Sequence, residues 1–383
     1  MINQQRLIKT FIELAKIPGL SRKERKIANV VSKHLKALGV RTCYDRALAK
    51  DGECGNLIGY LEGDRSLPRL LINAHLDTVA PIENFGYRRK GNYIESKGKS
   101  ILGADDRSGV TVIIEVLKHL VETNLKRPPL EIVFTVAEEI GLVGAKQLDY
   151  SLIQAKYGIV LDSDSPLELV ISAPQAYRLI FRVYGKSAHA GVSPEKGINA
   201  IKIASQAISQ MNLGRIDFET TANIGIIQGG TATNIVPELV EARGEARSHN
   251  LRKLKAQVEH MRACFQKALK TAERAGEKSK GLPRLEEEIV LEYPKMKVSE
   301  NSPLVQLLKF AGKKLGKKVI TKQGGGGSDA NIFNAHKIES IILGSGMEQV
   351  HTTEERLNLD QLYLSAQILA KAIELYPKVI AQR

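Results

Sequence analysis

Acidic and histidine side chains that could bind metal ions recur through the first half of the chain and once near its end. They are His75 and Asp77, the pairs Asp105-Asp106 and Glu138-Glu139, Asp162, and His351. Each is predicted to lie where a strand runs out into a loop that carries Gly or Asp. In open α/β sheets, ligands and catalytic groups gather at the carboxyl ends of the strands. We therefore predict one site that is assembled from distant parts of the chain.

Each member of this set also has a purely structural interpretation. His75 could be a hydrogen-bonded histidine at a strand end, and Asp105-Asp106 could cap a helix. The paired glutamates could stabilise a first helical turn, and Asp162 could open a turn. Taken one residue at a time, these interpretations are favoured, so the prediction of a site depends on the whole set.

Two histidines and three carboxylates suit two zinc-like divalent ions that share a bridging carboxylate. A two-metal centre activates a water molecule, and an unligated carboxylate must then move the proton. The adjacent Glu138 and Glu139 offer one ligand and one base. Positions i and i+2 of a strand face the same way, so Asp77 is a candidate to orient the imidazole of His75.

Composition excludes several classes of protein. The chain has 383 residues, 43% hydrophobic and 26% charged, as in globular proteins large enough for two domains. It contains no run near the ~20 apolar residues of a membrane helix. From its first residues we expect no secretory leader, and its three cysteines indicate no disulfide framework. We therefore expect a cytoplasmic protein without a membrane partner.

The formal net charge of +14 could also indicate a different class of protein, a non-catalytic nucleic-acid-binding protein. The basic residues cluster on predicted helices, for example in 251–255 and 309–318, and aromatic residues are only 5% of the chain. A basic stripe without interleaved aromatic residues offers bases no stacking platform. We therefore predict no nucleic-acid partner and interpret the charge as a solvated surface that could attract anionic substrates.

The first part of the chain has an α/β pattern. Apolar strands are predicted near 70–74, 132–137 and 158–161, with a helix over 108–120 between the first two. Continuous apolar strands that alternate with helices predict a sheet covered on both faces. Before them, Ser21-Arg-Lys-Glu24 is a candidate capping box for a helix.

A second pattern interrupts the first. After residue 174 the order strand, helix, strand, strand, helix, strand predicts a ferredoxin-like (βαββαβ) α+β domain. The α/β pattern then returns with a helix over 303–315. We place the catalytic α/β domain at 1–174 and 295–383 and the inserted domain at 175–294. The insertion explains why His351 lies far along the chain from the other candidates.

Four segments together resemble the co-catalytic zinc exopeptidases related to peptidase T. They are His75-Leu-Asp77-Thr, Leu102-Gly-Ala-Asp-Asp-Arg-Ser-Gly109, Ala137-Glu-Glu-Ile-Gly-Leu-Val-Gly-Ala145 and Gly346-Met-Glu-Gln-Val-His-Thr352. This broad family also includes carboxypeptidase G, the aminoacylases and succinyl-diaminopimelate desuccinylase. The resemblance covers nearly the whole chain, so it implies a zinc-exopeptidase-like α/β domain with an inserted lid or dimerisation domain.

The resemblance also implies a role for each candidate. His75 and Asp162 would bind one metal ion, Glu139 and His351 the other, and Asp105 would bridge them. The ions would be zinc, with cobalt or manganese as alternatives. Glu138 would be the general base that takes a proton from the metal-bound water. A cis peptide bond is implied between Asp105 and Asp106, and Arg107 departs from the family, whose members commonly carry lysine there.

Four further residues are implied to act on the substrate. His189, in Gly185-Lys-Ser-Ala-His-Ala-Gly191, would stabilise the oxyanion, often from the partner subunit of a homodimer. Asn234 and Arg247 would contact substrate, and Gly326, in a run of four glycines, would let the backbone approach it. The structural alternatives are a surface-loop histidine for His189 and a sheet-edge salt bridge for Arg247.

The predicted function is therefore metal-dependent hydrolysis of an amide bond in small peptides by an aminopeptidase of the tripeptidase type. An N-acyl-amino-acid amidohydrolase or a carboxypeptidase is the alternative, because the metal ions act on the amide carbonyl and not on its flanking groups.

Overall fold

A computed structural model describes residues 1–48 and 51–380. The chain divides into two compact units, Met1–Ala173 with Met296–Arg383, and Pro174–Lys295. The junctions predicted from the sequence, 174/175 and 294/295, each lie one residue from those of the structure.

The helices follow the predicted order. They are α1 Gln4–Ala15, α2 Arg25–Ala37, α3 Ala104–Thr123, α4 Val143–Gln147, α5 Ala200–Ser209, α6 Leu251–Arg274, α7 Pro303–Lys314, α8 Asp329–Ala335 and α9 Leu359–Val379. Among the described residues, no helix has both the length and the apolar character needed to cross a bilayer.

Two sheets of the first unit and one sheet of the second account for the strands. They are β1 Arg41–Tyr44, β2 Leu57–Leu61, β3 Leu70–His75, β4 Tyr87–Lys90, β5 Tyr93–Ser96, β6 Leu130–Thr135, β7 Tyr157–Val160, β8 Glu168–Ala173, β9 Gln175–Tyr184, β10 Gly214–Arg215, β11 Thr220–Gly229, β12 Leu239–Ser248, β13 Arg284–Tyr293, β14 Met296–Lys297, β15 Ile320–Gln323, β16 Glu339–Ile342, β17 Met347–Glu348 and β18 Arg356–Asn358.

The main sheet of the first unit is mixed, with the order β1-β2-β6-β3-β7-β16-β8-β14 and with β15 beside β8. Its centre is parallel, because β3 pairs in parallel with both β6 and β7. Every residue of β3 and of β6 is buried, as expected for strands covered on both faces. The carboxyl ends of β6, β3 and β7 therefore open side by side at one edge of the sheet. The α/β class predicted from the sequence is confirmed.

The second unit is an antiparallel sheet with the order β10-β11-β12-β9-β13. Its helices α5 and α6 share a core with the sheet, in which the rings of Phe181 and Phe265 stack with centroids 4.3 Å apart. The order β9-α5-β11-β12-α6-β13 is the predicted βαββαβ order, to which the structure adds the two-residue strand β10.

The predicted capping box at Ser21-Arg-Lys-Glu24 is wrong. Helix α2 begins at Arg25, and neither predicted side chain caps it. Instead, the Ser21 hydroxyl donates to the Asp77 carboxylate over 2.7 Å, and Glu24 accepts the backbone N–H of Ala137 over 2.9 Å. Both side chains serve distant turns, which a local motif cannot reveal.

Helix α3 packs closely on the sheet at Gly109. A Cβ there would lie less than 3.0 Å from the backbone oxygen of Leu161, a residue whose own N–H donates to the backbone oxygen of Asn73 over 2.8 Å. We expect Gly109→Ala to lower the free energy of unfolding by about 2 kcal/mol, as overpacking typically does. Urea unfolding followed by circular dichroism measures this.

Gly325→Ala is the matched control, because no atom lies within 4 Å of a Cβ at that position. Its unfolding free energy should stay within about 0.5 kcal/mol of the wild-type value. Equal stability of the two variants would contradict the close approach of α3 to the sheet.

Candidate metal centre

Three predicted site residues lie where the parallel strands of the main sheet end. His75 is the last residue of β3, Glu138 follows β6, and Asp162 follows β7. Because β6, β3 and β7 are neighbours, these side chains meet at one edge of the sheet, as the sequence predicted.

Two other members reach the site in a way that the sequence analysis did not predict. Asp105 lies in the first turn of α3 and not at the end of a strand. His351 lies in the loop between β17 and β18, which belong to a separate four-stranded sheet of the first unit. Its backbone is left-handed, with φ 63°. The expectation that every candidate follows a strand is therefore wrong for Asp105, whereas His351 does follow a strand, β17, but one that belongs to the other sheet.

The carboxylate of Asp105 lies between the two histidines. Its Oδ1 is 3.0 Å from Nε2 of His75, and its Oδ2 is 3.1 Å from Nε2 of His351. Each oxygen thus faces a different imidazole, which is the arrangement expected of a carboxylate that bridges two ions. The peptide bond between Asp105 and Asp106 is cis, as the resemblance implies.

Glu139 completes the side of the site that contains His351, since its Oε2 lies 3.0 Å from the His351 Nε2. Ligand atoms of His75, Asp105 and Glu139 all lie within 4.8 Å of one another, and so do those of His75, Asp106 and Asp162. The ligand atoms of both groups are therefore close enough to share metal ions.

Asp106 joins the second group but is already engaged by the backbone. Its Oδ1 accepts the N–H of Gly109 over 2.9 Å, and its Oδ2 accepts the N–H of His75 over 3.3 Å. We therefore interpret Asp106 as the side chain that joins the start of α3 to the end of β3. Asp162 is left as the carboxylate beside His75.

The ring of His75 is oriented by Asp77. Nδ1 of His75 lies 3.0 Å from the backbone oxygen of Asp77 and 3.5 Å from its carboxylate. A proton on Nδ1 would satisfy this carbonyl and leave the Nε2 lone pair directed at the site. The backbone oxygen is therefore the nearer partner, although the sequence had also offered the side chain.

The carboxylate of Asp77 instead holds the paired glutamates. It accepts the backbone N–H of Glu138 over 2.9 Å and that of Glu139 over 3.1 Å, and the Ser21 hydroxyl donates to it as well. Asp77 thereby fixes the turn that presents both glutamate side chains. Neither glutamate lies in a helix, so the dipole interpretation of this pair does not apply.

Negative charge is concentrated at this edge of the sheet. Burial, together with the charge of Asp105, raises the pKa of Asp162 to about 8, and burial raises the pKa of Glu138 well above its usual range. Hydrogen bonds to Asp105 and Glu139 raise the pKa of His351 to about 10. Such mutual repulsion among buried carboxylates favours bound cations, so the donor set fits two divalent ions.

Arg107 lies behind the site. Its guanidinium donates to the backbone oxygen of Leu76, between His75 and Asp77, and to that of Ile17 over 3.4 Å. Gly19 makes room for it, because a Cβ at that position would lie less than 3.0 Å from Nη2. The side chain that departs from the family pattern is thus directed at backbone carbonyl groups.

Three buried carboxylates near the site escaped the sequence analysis. Glu24 accepts the N–H of Ala137, Glu355 accepts those of Gly103 and Asp105, and Asp329 accepts the hydroxyl of Thr135. Only Glu24 belonged to a segment that the sequence analysis had singled out, the predicted capping box. The distant partners of these carboxylates leave no signal in the sequence.

Gly326 and the predicted residues of the inserted segment are divided between the two units. Gly326 is exposed in the loop before α8 in the first unit, whereas His189, Asn234 and Arg247 belong to the second unit. The segments of His189 and Asn234 are paired, since the N–H of Ala190 donates to the Asn234 backbone oxygen over 2.9 Å. Arg247 forms a 2.7 Å ion pair with Glu245, but it lies on β12, the middle strand of its sheet, and not at the sheet edge that the structural alternative named.

Residues 71–375 match the family model for peptidase family M20/M25/M40, so the chain belongs to that family. The protein YqjE of Bacillus subtilis is 40% identical over 376 residues, which are 98% of this chain and 99% of its own. Peptidase T of Fusobacterium nucleatum is 26% identical over 318 residues, 80% of this chain and 73% of its own.

Two solved structures have the same fold along the whole chain. Aminopeptidase PepT of Bacillus cereus is 39% identical with a TM-score of 0.83, covering 98% of this chain and 99% of its own. A tripeptidase of Staphylococcus aureus is 36% identical with a TM-score of 0.88, covering 99% and 100%. The predicted resemblance to peptidase T-like metallopeptidases is confirmed.

The separate positions of the paired glutamates generate a prediction about metal content. Glu138→Gln should lower turnover by at least about 10³-fold while the protein keeps two equivalents of metal, because Glu138 is not assigned as a ligand. Glu139→Gln should retain about one equivalent, because it removes a charged ligand beside His351. Metal analysis of the purified proteins, combined with peptidase assays, measures both.

The two glutamine variants are matched controls for each other, since they remove one charge at neighbouring positions. Loss of metal from Glu138→Gln would make that residue a ligand and contradict the assignment.

Proposed function

We propose that this chain is an aminopeptidase that uses two divalent metal ions to release the N-terminal residue from di- or tripeptides. The observation that carries the proposal is the carboxylate of Asp105, whose two oxygens each lie within 3.1 Å of a different imidazole. The similarity to an aminopeptidase and to a tripeptidase over nearly the whole chain supports the choice of substrate.

Five residues would hold the ions. We assign His75 and Asp162 to one ion, Glu139 and His351 to the other, and Asp105 to both. Two imidazoles with three carboxylates suit zinc best, and cobalt or manganese could replace it. When bound, the ions would activate a water molecule and polarise the carbonyl group of the scissile amide.

Glu138 would move the proton. It is 9% exposed, and it lies next to the proposed ligand Glu139. Its backbone is held by Asp77, so the carboxylate can accept a proton from the attacking water and return it to the leaving amine. A buried carboxyl with a raised pKa suits both transfers.

The substrate contacts rest on the resemblance. His189 would stabilise the oxyanion, Asn234 and Arg247 would contact the peptide, and the backbone at Gly326 would lie beside it. The exposed apolar side chains of Ile226, Ile227 and Leu239 on the second unit support the proposal of a homodimer through this unit.

We also propose a cytoplasmic location. The three cysteines, Cys43, Cys54 and Cys264, are free thiols, as expected in a reducing compartment.

Removal of the metal ions should abolish activity. After exhaustive dialysis against a chelator, hydrolysis of a tripeptide should fall to background, and zinc, cobalt or manganese should restore it. Magnesium is the control, because it prefers oxygen ligands and the proposed set contains two imidazoles. Full activity after chelation would contradict a metal-dependent mechanism.

A matched substrate panel distinguishes an aminopeptidase from the alternative N-acyl-amino-acid amidohydrolase or carboxypeptidase. We expect turnover of an unblocked tripeptide and of its C-terminal amide. The kcat/KM for the N-acetylated tripeptide should be at least about 10²-fold lower, because a site that binds a free amine leaves its polar groups unpaired when that amine is acetylated. Mass spectrometry identifies the product.

Preferred cleavage of the N-acetylated peptide, with no turnover of the C-terminal amide, would instead support the alternative. In that case Arg247 would be the first candidate to bind the substrate carboxylate.

A further inference from the structure

Helix α3, which carries the bridging Asp105, starts irregularly: the backbone of Asp105 and Asp106 is not helical, and the Asp106 carboxylate caps the regular part of the helix by accepting the N–H of Gly109. Its N-cap position is Gly103, a left-handed residue with φ 72° and no side chain to accept a hydrogen bond. The first N–H groups of a helix lack partners within the helix, and buried N–H groups need an acceptor. Since residues 101–110 are all buried, that acceptor must come from another part of the chain.

Glu355 supplies the acceptor. Its Oε2 accepts the N–H of Gly103 over 2.7 Å, and its Oε1 accepts the N–H of Asp105 over 3.0 Å. The residue is 0% exposed. A carboxylate at a helix N-terminus also interacts favourably with the helix dipole. Glu355 therefore holds the irregular segment just before the regular part of α3, at the residue whose side chain lies between the two histidines.

The same glutamate is joined to the other side of the site. It follows His351 by four positions in the loop between β17 and β18. The backbone oxygen of Glu355 accepts the N–H of Ser96 over 3.0 Å, and the next strand, β18, pairs with β5. One end of this loop is thus fixed to a sheet, while the Glu355 side chain is fixed to α3.

We propose that Glu355 is a positioning residue that sets the separation between Asp105 and His351 and thereby the affinity of one of the two metal positions. The proposal rests on the assignment of these two residues as metal ligands in the proposed function. His75, on β3, is joined to α3 through Asp106 instead, so of the ligands assigned to its ion only the shared Asp105 is held by Glu355.

A second buried glutamate on the same helix shows what a purely structural role would look like. Glu115 is 1% exposed, and it accepts the backbone N–H of Asn3 over 2.9 Å and Nε of Arg6 over 2.7 Å. It lies near the middle of α3 and joins that helix to the N-terminal segment. Glu115→Ala is therefore the matched control for Glu355→Ala.

Cobalt(II) titration of the full-length, metal-free protein tests the proposal, with calorimetry and visible absorption as readouts. We expect Glu115→Ala to bind two equivalents of cobalt, each with the same affinity as in the wild-type protein. In Glu355→Ala, the position beside His351 should weaken about 10- to 100-fold, the effect typical of lost outer partners of metal ligands. The position beside His75, which shares only Asp105 with it, should weaken less. Glu355→Gln keeps one acceptor oxygen, so its affinity for cobalt at the position beside His351 should lie between those of the wild-type protein and Glu355→Ala.

If Glu355→Ala binds two equivalents of cobalt with the wild-type affinities, the proposal is overturned. An equal weakening of both positions, or a wild-type protein that binds fewer than two ions, would also overturn it. If Glu355→Ala does not fold, the near-isosteric Glu355→Gln decides by the same criterion. A protein that binds two ions with the expected pattern but hydrolyses no peptide would refute the proposed function and leave the role of Glu355 intact.

Discussion

The contact on which the candidate site depends is the carboxylate of Asp105 between His75 and His351. These three residues come from a helix start, a strand end and a loop of a second sheet. None of the three backbones is adjacent to another in sequence, so their positions must be fixed by tertiary contacts. Gly109 lets α3 approach the sheet closely enough for Asp105 to reach His75.

Buried carboxylates that accept backbone N–H groups provide much of this positioning. Asp77 holds the turn at Glu138 and Glu139, Glu24 holds Ala137 just before that turn, and Glu355 holds the start of α3. A charge-assisted hydrogen bond is stronger than a neutral one and is strengthened further by burial. The carboxylates that position the site therefore rely on backbone donors, and the side-chain ligands are left for cations.

This arrangement has an electrostatic consequence. Burial raises the pKa of both Glu24 and Glu355 to about 7. The pKa values of Asp162 and Glu138, in the site itself, are raised as well. So many acidic groups in one region repel one another, and bound divalent ions would relieve that repulsion. We infer that metal binding and the stability of this edge of the sheet are coupled.

The amino-acid sequence alone determined the central strands, the long helices and the residues that carry chemistry. Apolar runs identified β3, β6 and β7, helical spacing identified α3 and α6, and the family motifs singled out His75, Asp105 and His351. These features depend on neighbours within a few positions, where periodicity and residue type are informative.

Only the tertiary structure decided how these pieces meet. It moved Ser21 and Glu24 from a predicted cap to distant turns, placed His351 on a second sheet, and brought Glu355 to the start of α3. Hydrogen bonds between residues separated by tens to hundreds of positions leave no local pattern. Their geometry is fixed only when the strands pair and the helices pack.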